Sequence, residues 1–413
     1  MLTRNSRTLL VALGLVVLTN GLVFYVNFRL LGQPTGWEAP FVRQVFVVVA
    51  LAAVAAVLLD PLRISARLGR QSAVATVAIL WFATWTVASS RWSLSPDITR
   101  GRSLIYVGLA AFAWVIADLP FAQFRRALTL AMAVCVGASL AAVLLSDAVG
   151  LDRNDDWRGI FTNRNSLAPV AGVAILLGVS MMLDRRRRPL IVGALLLLAS
   201  LVVMLGSGSR TAWLATGAAG SVAALVVFAR VGWDRFGREA LVAAAGIAAA
   251  GGMAAVVAVS SLWNEPTLIQ RRTIWSFVWD RIGDRPLHGH GWFNVWGVPE
   301  FTSADPLLQR GSAHGSFLEV WLGLGLVGLV PFLVIVGLAL YGTFTDAWRR
   351  PSVATWTWLA LVLFLIVENL TESFVLWYSY NWVLLMVAAL RSGVGWRRRI
   401  DDQTRPAPQS ANA

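Results

Sequence analysis

The sequence predicts an all-α, polytopic membrane protein, and three observations lead to this prediction. The chain of 413 residues is 57% hydrophobic and only 14% charged, whereas soluble domains carry about 25% charged residues. Apolar runs of roughly 18 or more residues recur along it, which is the length a helix needs to cross a bilayer. All 35 basic residues are arginine, and most crowd into short loops beside these runs, as cytoplasmic loops do. Membrane orientation therefore explains the net charge of +13 better than nucleic-acid binding does.

The apolar runs predict about twelve transmembrane helices in order. They lie near residues 8–26, 43–59, 72–89, 103–118, 127–147, 166–183, 190–206, 211–229, 240–259, 316–342, 355–374 and 376–390. The first run is too long for the apolar core of a signal peptide and lacks a small-residue cleavage site, so we interpret it as a retained anchor. Only a tight turn at residues 207–210 separates the seventh and eighth spans.

The arginine distribution predicts that both termini are cytoplasmic. Residues 1–400 are expected to form a single transmembrane domain, followed by a disordered cytoplasmic tail over residues 401–413. One large extracytoplasmic loop, about residues 260–315, connects helices 9 and 10. Since so long a loop rarely lacks structure of its own, the Trp and Ile spacing in "TIWSFVWDRI" predicts an amphipathic helix along the outer leaflet.

Arginine-rich polar segments collect on the predicted outer face, at "DWRGIFTNRNSLAP", "GSGSRTAWLA", "QRRTIW" and "AHGSFLE". Guanidinium groups bind phosphate oxygens in bidentate fashion and remain charged, so these segments favour an anionic ligand. Arg210 is expected in the first turn of a helix capped by Ser209 or Ser207, where exposed backbone N–H groups also attract an anion. A headgroup contact or a solvated loop charge is an equal alternative for Arg210.

His314 stands at the mouth of the tenth span and is the candidate proton acceptor. The positive helix end and desolvation both disfavour the imidazolium, which leaves a neutral ring that can take a proton. An interfacial histidine bonded to a carbonyl is the alternative. Glu319 could orient an arginine or face a polar crevice, while Glu368 and Glu372, one turn apart on the eleventh span, could join such a network.

His288 and His290 flank Gly289 in the outer loop. Zinc sites need at least three protein ligands, and no third ligand stands near this pair in the sequence. The spacing therefore predicts a backbone turn and no metal site.

Four motifs, taken in order, resemble the O-antigen ligase and O-antigen polymerase family of polytopic membrane glycosyltransferases, which are of the GT-C type. His314, followed by "GLVG" at residues 325–328, resembles the family's His…Gly-x-x-Gly signature. Gly315 stands where the family often has Asn, Ser or Gln after the histidine. The turn "SGSRTAW" resembles the family's Ser-Arg-Thr turn and maps its first arginine to Arg210.

The other two motifs lie on either side of that turn. "RGIFTNRNSLA" resembles the family's Gly-x-Phe-x-(Lys)-Asn segment, with Arg164 in the lysine place and Asn165 matching. "RRTIW…DRPLHGHGWFNV" resembles a further family segment, in which an arginine stands four residues before a Trp and is followed by Pro and Gly-x-Gly. That segment maps the second family arginine to Arg271, with Arg272 a close rival. The resemblance covers about residues 157–381.

The resemblance implies an enzyme of cell-surface polysaccharide biosynthesis in the bacterial cytoplasmic membrane, with its active site outside. Such an enzyme is an inverting glycosyltransferase that moves a glycan from a polyprenyl (undecaprenyl) diphosphate to a hydroxyl of a glycan, lipid or protein acceptor, without metal, nucleotide or other cofactor. It implies membrane lipids and no nucleic acid as partners. The implied residues are His314 as catalytic base, Arg210, Arg271 and Arg272 on the diphosphate, and Arg158, Arg164, Asn165 and Glu319 in support.

Two rival functions remain from the sequence. The first is a twelve-span secondary transporter or flippase, because "GWDRFGRE" resembles a loop of facilitator-type transporters. Two features count against it: the first Gly of this segment is too close to the Asp, and the chain lacks a long central cytoplasmic loop. Another class of lipid-carrier glycosyltransferase places a catalytic Asp in the first outer loop, which here has Glu38 and no Asp. The motifs do not separate ligase from polymerase.

Overall fold

A computed structural model describes residues 4–31, 40–58, 71–152, 154–184, 187–236, 266–293, 295–297 and 311–393. Most residues in these ranges are helical and the rest form turns and loops, with one isolated β-bridge between Leu151 and Trp157 and no strand among the described residues, which confirms the all-α prediction. The α-helices are α1 (Arg4–Leu18), α2 (Gly21–Tyr25), α3 (Pro40–Leu58), α4 (Ala73–Ala88), α5 (Pro96–Ala117), α6 (Phe121–Leu145), α7 (Asp147–Gly150), α8 (Arg164–Met182), α9 (Arg187–Ser207), α10 (Arg210–Phe236), α11 (Pro266–Asp284), α12 (Ser316–Arg349), α13 (Val353–Thr371) and α14 (Tyr380–Arg391).

Nine helices of the described ranges are long and apolar enough to cross a membrane, and the bent pair of α1 and α2 would make a tenth. The final helix, α14, is apolar but shorter. The predicted ninth span at residues 240–259 and the predicted tail at residues 401–413 lie outside the described residues. A polytopic membrane protein is thus confirmed, while the number twelve and the domain bounds stay predictions.

The first predicted span is not one straight helix, because it bends by 59° between α1 and α2. Asn20 occupies the break with a left-handed φ of 71°, a conformation that asparagine tolerates better than most residues. Its side-chain Nδ2 donates to the Trp377 carbonyl over 3.0 Å. The hydroxyl of Thr19 bonds the Val16 carbonyl at 2.7 Å and lies 3.2 Å from the Cys135 sulfur. Polar groups inside an apolar run thus mark the break.

Side-chain caps fix where several helices begin. Asn163 accepts from the Ser166 backbone N–H at 2.9 Å and so starts α8, while Ser352 and Thr355 form a reciprocal capping box at the start of α13. Such caps satisfy backbone N–H groups that have no partner within the helix. The cap at Asn163 places Asn165 in the first turn of α8, at the site described below.

The helix ends alternate so that one end of the bundle collects the polar motifs. The backbone N–H of Trp157, ahead of α8, donates to the Gly206 carbonyl of α9 over 2.9 Å, and Asn165 of α8 reaches Glu372 after α13 at 3.1 Å. At the opposite end, Arg391 of α14 donates to the Leu119 carbonyl over 3.1 Å. Since α1 runs toward the Asn20 break at the polar end, it starts at the same end as α14 finishes.

The predicted helix of the outer loop is present as α11. Its apolar face, formed by Ile274, Val278 and Ile282, is buried against Ala313 and Leu322. The helix therefore packs on the segment that leads into α12. Its placement along the outer leaflet stays a prediction.

Candidate active site

His314 lies in the turn directly before α12 and faces Glu372. Its Nδ1 atom is 3.3 Å from Oε2 of Glu372, and its backbone has a left-handed φ of 48°. A carboxylate only accepts hydrogen bonds, so this contact places the ring proton on Nδ1. The Nε2 atom of the neutral ring is then the one that can accept a proton from a substrate.

Glu372 follows α13 and joins three distant parts of the chain. Its Oε1 atom accepts from Nη2 of Arg271 at 2.8 Å and from Nδ2 of Asn165 at 3.1 Å. Arg271 also donates through Nη1 to the Thr371 carbonyl at 2.9 Å. The side chains of Arg271 and Glu372 are only 14% and 16% exposed, so this pair is better shielded from water than a surface ion pair.

Glu319 organises the backbone on both sides of His314. Its buried carboxylate accepts from the Ala313 backbone N–H, from Nε1 of Trp296 at 2.9 Å and from Oγ of Ser373 at 3.1 Å. The Ser373 hydroxyl in turn accepts from the Gly315 backbone N–H at 3.1 Å. In the described part of the chain Glu319 thus holds the turn, and it does not orient an arginine as the sequence suggested it could.

The two remaining arginines of the predicted diphosphate set lie at the surface. Arg210 is the first residue of α10, as predicted, and its side chain is exposed. Gly208 makes the tight turn with φ 59°, and the Ser209 N–H donates to the Ser207 hydroxyl at 3.4 Å. Arg272 is exposed on α11, whereas its neighbour Arg271 turns inward to Glu372.

Arg158 and Arg164 stabilise the segment that leads into α8. Arg158 donates to the carbonyls of Val149 and Ala148, at 3.0 and 2.9 Å. Partial burial lowers the pKa of Arg158, and the nearby charge of Arg29 adds to the effect. Arg164 forms an ion pair with Asp156, and the Asp156 carboxylate lies beside Gly208 in the turn before α10. Arg158 therefore joins this segment to α7 and Arg164 stabilises the segment internally, whereas Asn165 reaches Glu372.

The structure links two glycine motifs that the sequence analysis treated separately, the Gly-x-Gly at residues 289–291 and "GLVG" at residues 325–328. The helix α12 breaks at Gly325, which has φ 65° and ψ −168°. The backbone segment 286–291 lies alongside this break, and four hydrogen bonds join them. They run from His290 N to Leu322 O (3.0 Å), Gly291 N to Gly323 O (2.9 Å), Leu326 N to Pro286 O (2.9 Å) and Val327 N to Leu287 O (3.1 Å).

The loop segment thereby satisfies backbone groups that the broken helix leaves without partners in an apolar setting. His290 helps to hold this loop segment, because its buried ring lies 2.7 Å from the Arg281 carbonyl. Burial lowers the pKa of His290. A glycine inside an apolar run could have signalled the break. Its pairing with a distant loop leaves no local mark in the sequence.

Gly325→Ala is expected to destabilise the protein by about 1–3 kcal/mol or more, because the residue would hold a left-handed φ and crowd a packed contact. A Cβ atom there would lie 2.2 Å from the Leu287 carbonyl carbon. Thermal unfolding in detergent measures the effect. Gly337→Ala in the same helix is the matched control, since its Cβ would meet nothing within 4 Å. Equal midpoints for the two variants would contradict the proposed pairing.

A cavity of about 410 Å³ opens beside His314 and Glu372. Its wall combines α2 and the Asn20 break with the start of α8 and the segment between α13 and α14. Arg210, Arg271 and Arg272 are not among its lining residues. In the described part of the chain, no group of three or more His, Cys, Asp or Glu side chains could hold a metal ion.

Fold and site together define a polytopic α-helical membrane protein with a histidine, a carboxylate and arginines gathered at one end of its bundle. Residues 195–333 match a family described as O-antigen ligase, and this stretch includes Arg210, Arg271, His314 and the glycines of the α12 break. No curated protein matches the chain. The match confirms the predicted resemblance to the O-antigen ligase and polymerase family.

Over residues 195–333 the chain is therefore similar to O-antigen ligases, and this similarity supports a membrane glycosyltransferase of that general type in a multi-pass bacterial membrane protein. The family implies a lipid-linked glycan donor and a glycan acceptor. Nothing in the fold or the match favours the transporter alternative.

Proposed function

We propose that the protein transfers a glycan from a polyprenyl diphosphate to an acceptor hydroxyl at the outer face of the bacterial cytoplasmic membrane, with inversion and without a metal. One observation carries this proposal. His314 contacts Glu372 over 3.3 Å at the cavity, and the same carboxylate binds Arg271 over 2.8 Å. The base is thus oriented, and α11, which carries Arg271 and the exposed Arg272, is fixed beside it, as displacement of a diphosphate requires.

In the proposed reaction, Nε2 of His314 takes the proton of the acceptor hydroxyl. The hydroxyl oxygen then forms a bond to the anomeric carbon of the donor glycan. The bond from that carbon to the phosphate oxygen breaks, and polyprenyl diphosphate leaves with the electron pair. Glu372 stabilises the imidazolium that forms and keeps the ring oriented through Nδ1.

Arginines would stabilise the negative charge that develops on the leaving diphosphate. Arg210 suits this role because it begins α10, and the exposed backbone N–H groups at a helix start also attract an anion. Arg272 is exposed on the helix next to the cluster, while Arg271 already shares its charge with Glu372. Fixed guanidinium groups would supply what a divalent cation supplies in other transferases.

The helix arrangement supports an outer active site. The start of α1 and the end of α14 lie at the end of the bundle opposite His314, and α8 ends and α9 begins with Arg187 and Arg188 at that same end. Arginine-rich short loops favour the cytoplasmic side. The polar end, with its cavity, would then face outward.

Cysteine labelling is expected to place α11 outside and the loop between α12 and α13 inside. In a Cys135→Ala background, which removes the one native thiol, Thr273→Cys and Ser352→Cys introduce exposed thiols. A membrane-impermeant maleimide should label Thr273→Cys in intact spheroplasts, and Ser352→Cys only after permeabilisation. The reverse pattern would overturn the proposed orientation.

Sealed membrane vesicles of both orientations test the function itself. A labelled polyprenyl-diphosphate glycan is placed in the bilayer, and a membrane-impermeant acceptor is added to the bath. Product should form in right-side-out vesicles and not in inverted ones. Movement of intact glycan across the bilayer, without transfer, would support the transporter instead.

A further inference from the structure

The cavity beside His314 has the wall of a sugar-binding site. Amides and hydroxyls come from Asn20, Thr162, Asn163 and Ser312. Aromatic rings come from Phe24, Phe161, Phe374, Trp377 and Tyr380. Among the described lining residues, His314 is the only one that could carry a positive charge, and Leu, Ile and Val are absent.

This composition distinguishes between ligand classes. A lipid chain would meet polar amides that it cannot pair, which costs free energy. A phosphate or carboxylate would meet the Glu372 carboxylate without an arginine in the wall, which is electrostatically unfavourable. A neutral sugar has hydroxyls around its edge and C–H groups on its faces, so it suits a wall of amides, hydroxyls and rings.

The break in the first span supports a ligand in this cavity. Asn20 holds a left-handed backbone, and its Nδ2 atom bonds the Trp377 carbonyl at 3.0 Å. Its buried Oδ1 atom has no hydrogen-bond partner in the described part of the chain. Unpaired buried acceptors are uncommon and call for a reason. A sugar hydroxyl that donates to this amide would supply one.

We propose that this cavity binds a neutral sugar unit of the acceptor and presents its hydroxyl to Nε2 of His314. The inference rests on the proposed function, because the base must contact the acceptor hydroxyl in that reaction. The volume of about 410 Å³ lies in the range of roughly 300–1,000 Å³ typical of small-ligand sites. The diphosphate lies outside the cavity, where Arg210 and Arg272 are exposed.

Saturation-transfer NMR on the full-length protein in detergent tests the site with methyl hexopyranosides of gluco, galacto and manno configuration as probes. At least one of them should receive saturation from the wild type. A methyl glucuronide should bind more weakly than the matching neutral glycoside. Absence of transfer to every neutral probe, or tighter binding of the glucuronide, would overturn the proposal.

Two variants locate the binding in this cavity. Thr162→Val removes an exposed hydroxyl and keeps the shape, and Asn20→Gly removes the amide while tolerating the φ of 71°. Each should raise the dissociation constant of the bound glycoside roughly 3- to 10-fold, the effect of one net hydrogen bond. Thr345→Val, at a half-buried threonine far along α12, is the matched control and should leave the dissociation constant unchanged. Unchanged affinity in Thr162→Val and Asn20→Gly would remove the site from this cavity.

The binding readout is independent of catalysis, so the two proposals can fail separately. In a transfer assay the same variants should raise KM for the acceptor and leave KM for the lipid donor unchanged. Sugar binding of the expected pattern without any glycan transfer would contradict the proposed function and leave the sugar site standing. Active transfer with an unchanged acceptor KM in both variants would contradict the sugar site alone.

Discussion

Replacing His314 with alanine should lower the rate of glycan transfer by about 10²- to 10⁴-fold, the range of a general base, while binding of the lipid diphosphate is largely retained. The reason is that proton transfer and anion binding are assigned to different side chains. The imidazole, held through Nδ1 by Glu372, takes a proton, whereas arginines hold the anion. Initial rates of the purified variant, together with binding of a labelled polyprenyl diphosphate, measure both quantities.

His288→Ala is the matched control for this variant. His288 is an exposed histidine in the segment that pairs with the α12 break; its ring packs edge-on against Trp92, with 5.8 Å between the ring centroids, and does not line the cavity. Its ring should therefore be dispensable for transfer. Normal turnover by His314→Ala, or an equal loss in His288→Ala, would remove His314 from the role of base.

Arg210→Ala should lower the transfer rate by about 10²- to 10³-fold, which is the usual cost of losing one charge contact made in the transition state. The Lys variant should recover little activity, because an ammonium group lacks the planar pair of donors that matches phosphate oxygens. Rates are compared at equal amounts of membrane-inserted protein. Arg100→Ala is the control, since Arg100 is 59% exposed and paired only loosely with Asp97 at 3.7 Å.

The same substitution at Arg271 and Arg272 separates the two candidates for the second cation. Arg271→Ala would also free the Glu372 carboxylate that it binds at 2.8 Å, so its effect should include loss of the His314 orientation. Arg272→Ala leaves the bond between Arg271 and Glu372 in place, so its effect should fall on the KM and the rate for the donor. Full activity in Arg210→Ala would contradict the diphosphate assignment.

Much of the fold could be predicted from the sequence because the signals are local. A transmembrane helix is a continuous apolar run, and the tight turn before Arg210 lies in a short stretch of Gly and Ser. The resemblance placed Asn165 and Arg271 among the candidates, and the structure brings both to Glu372. The position of Glu372 on the eleventh span suggested a network, though not which partners it has.

The remaining features depend on contacts between distant residues. The break at Gly325 is stabilised by the backbone of residues 286–291, and the bend at Asn20 is stabilised by the Trp377 carbonyl. Neither pairing leaves a periodicity that a sequence window could detect. Glu319 was likewise ambiguous, because a buried carboxylate can bind an arginine or backbone N–H groups, and only the structure shows that it holds the turn around His314.

We expect this protein to break the bond between a glycan and a lipid diphosphate without a divalent metal. The most direct test incubates the purified protein with a polyprenyl-diphosphate glycan and an acceptor in detergent that contains EDTA, and measures glycosylated acceptor and released polyprenyl diphosphate together. We expect equal amounts of the two products, at a rate that EDTA does not change. Strict dependence on an added divalent cation, or consumption of donor without transfer to the acceptor, would contradict the mechanism.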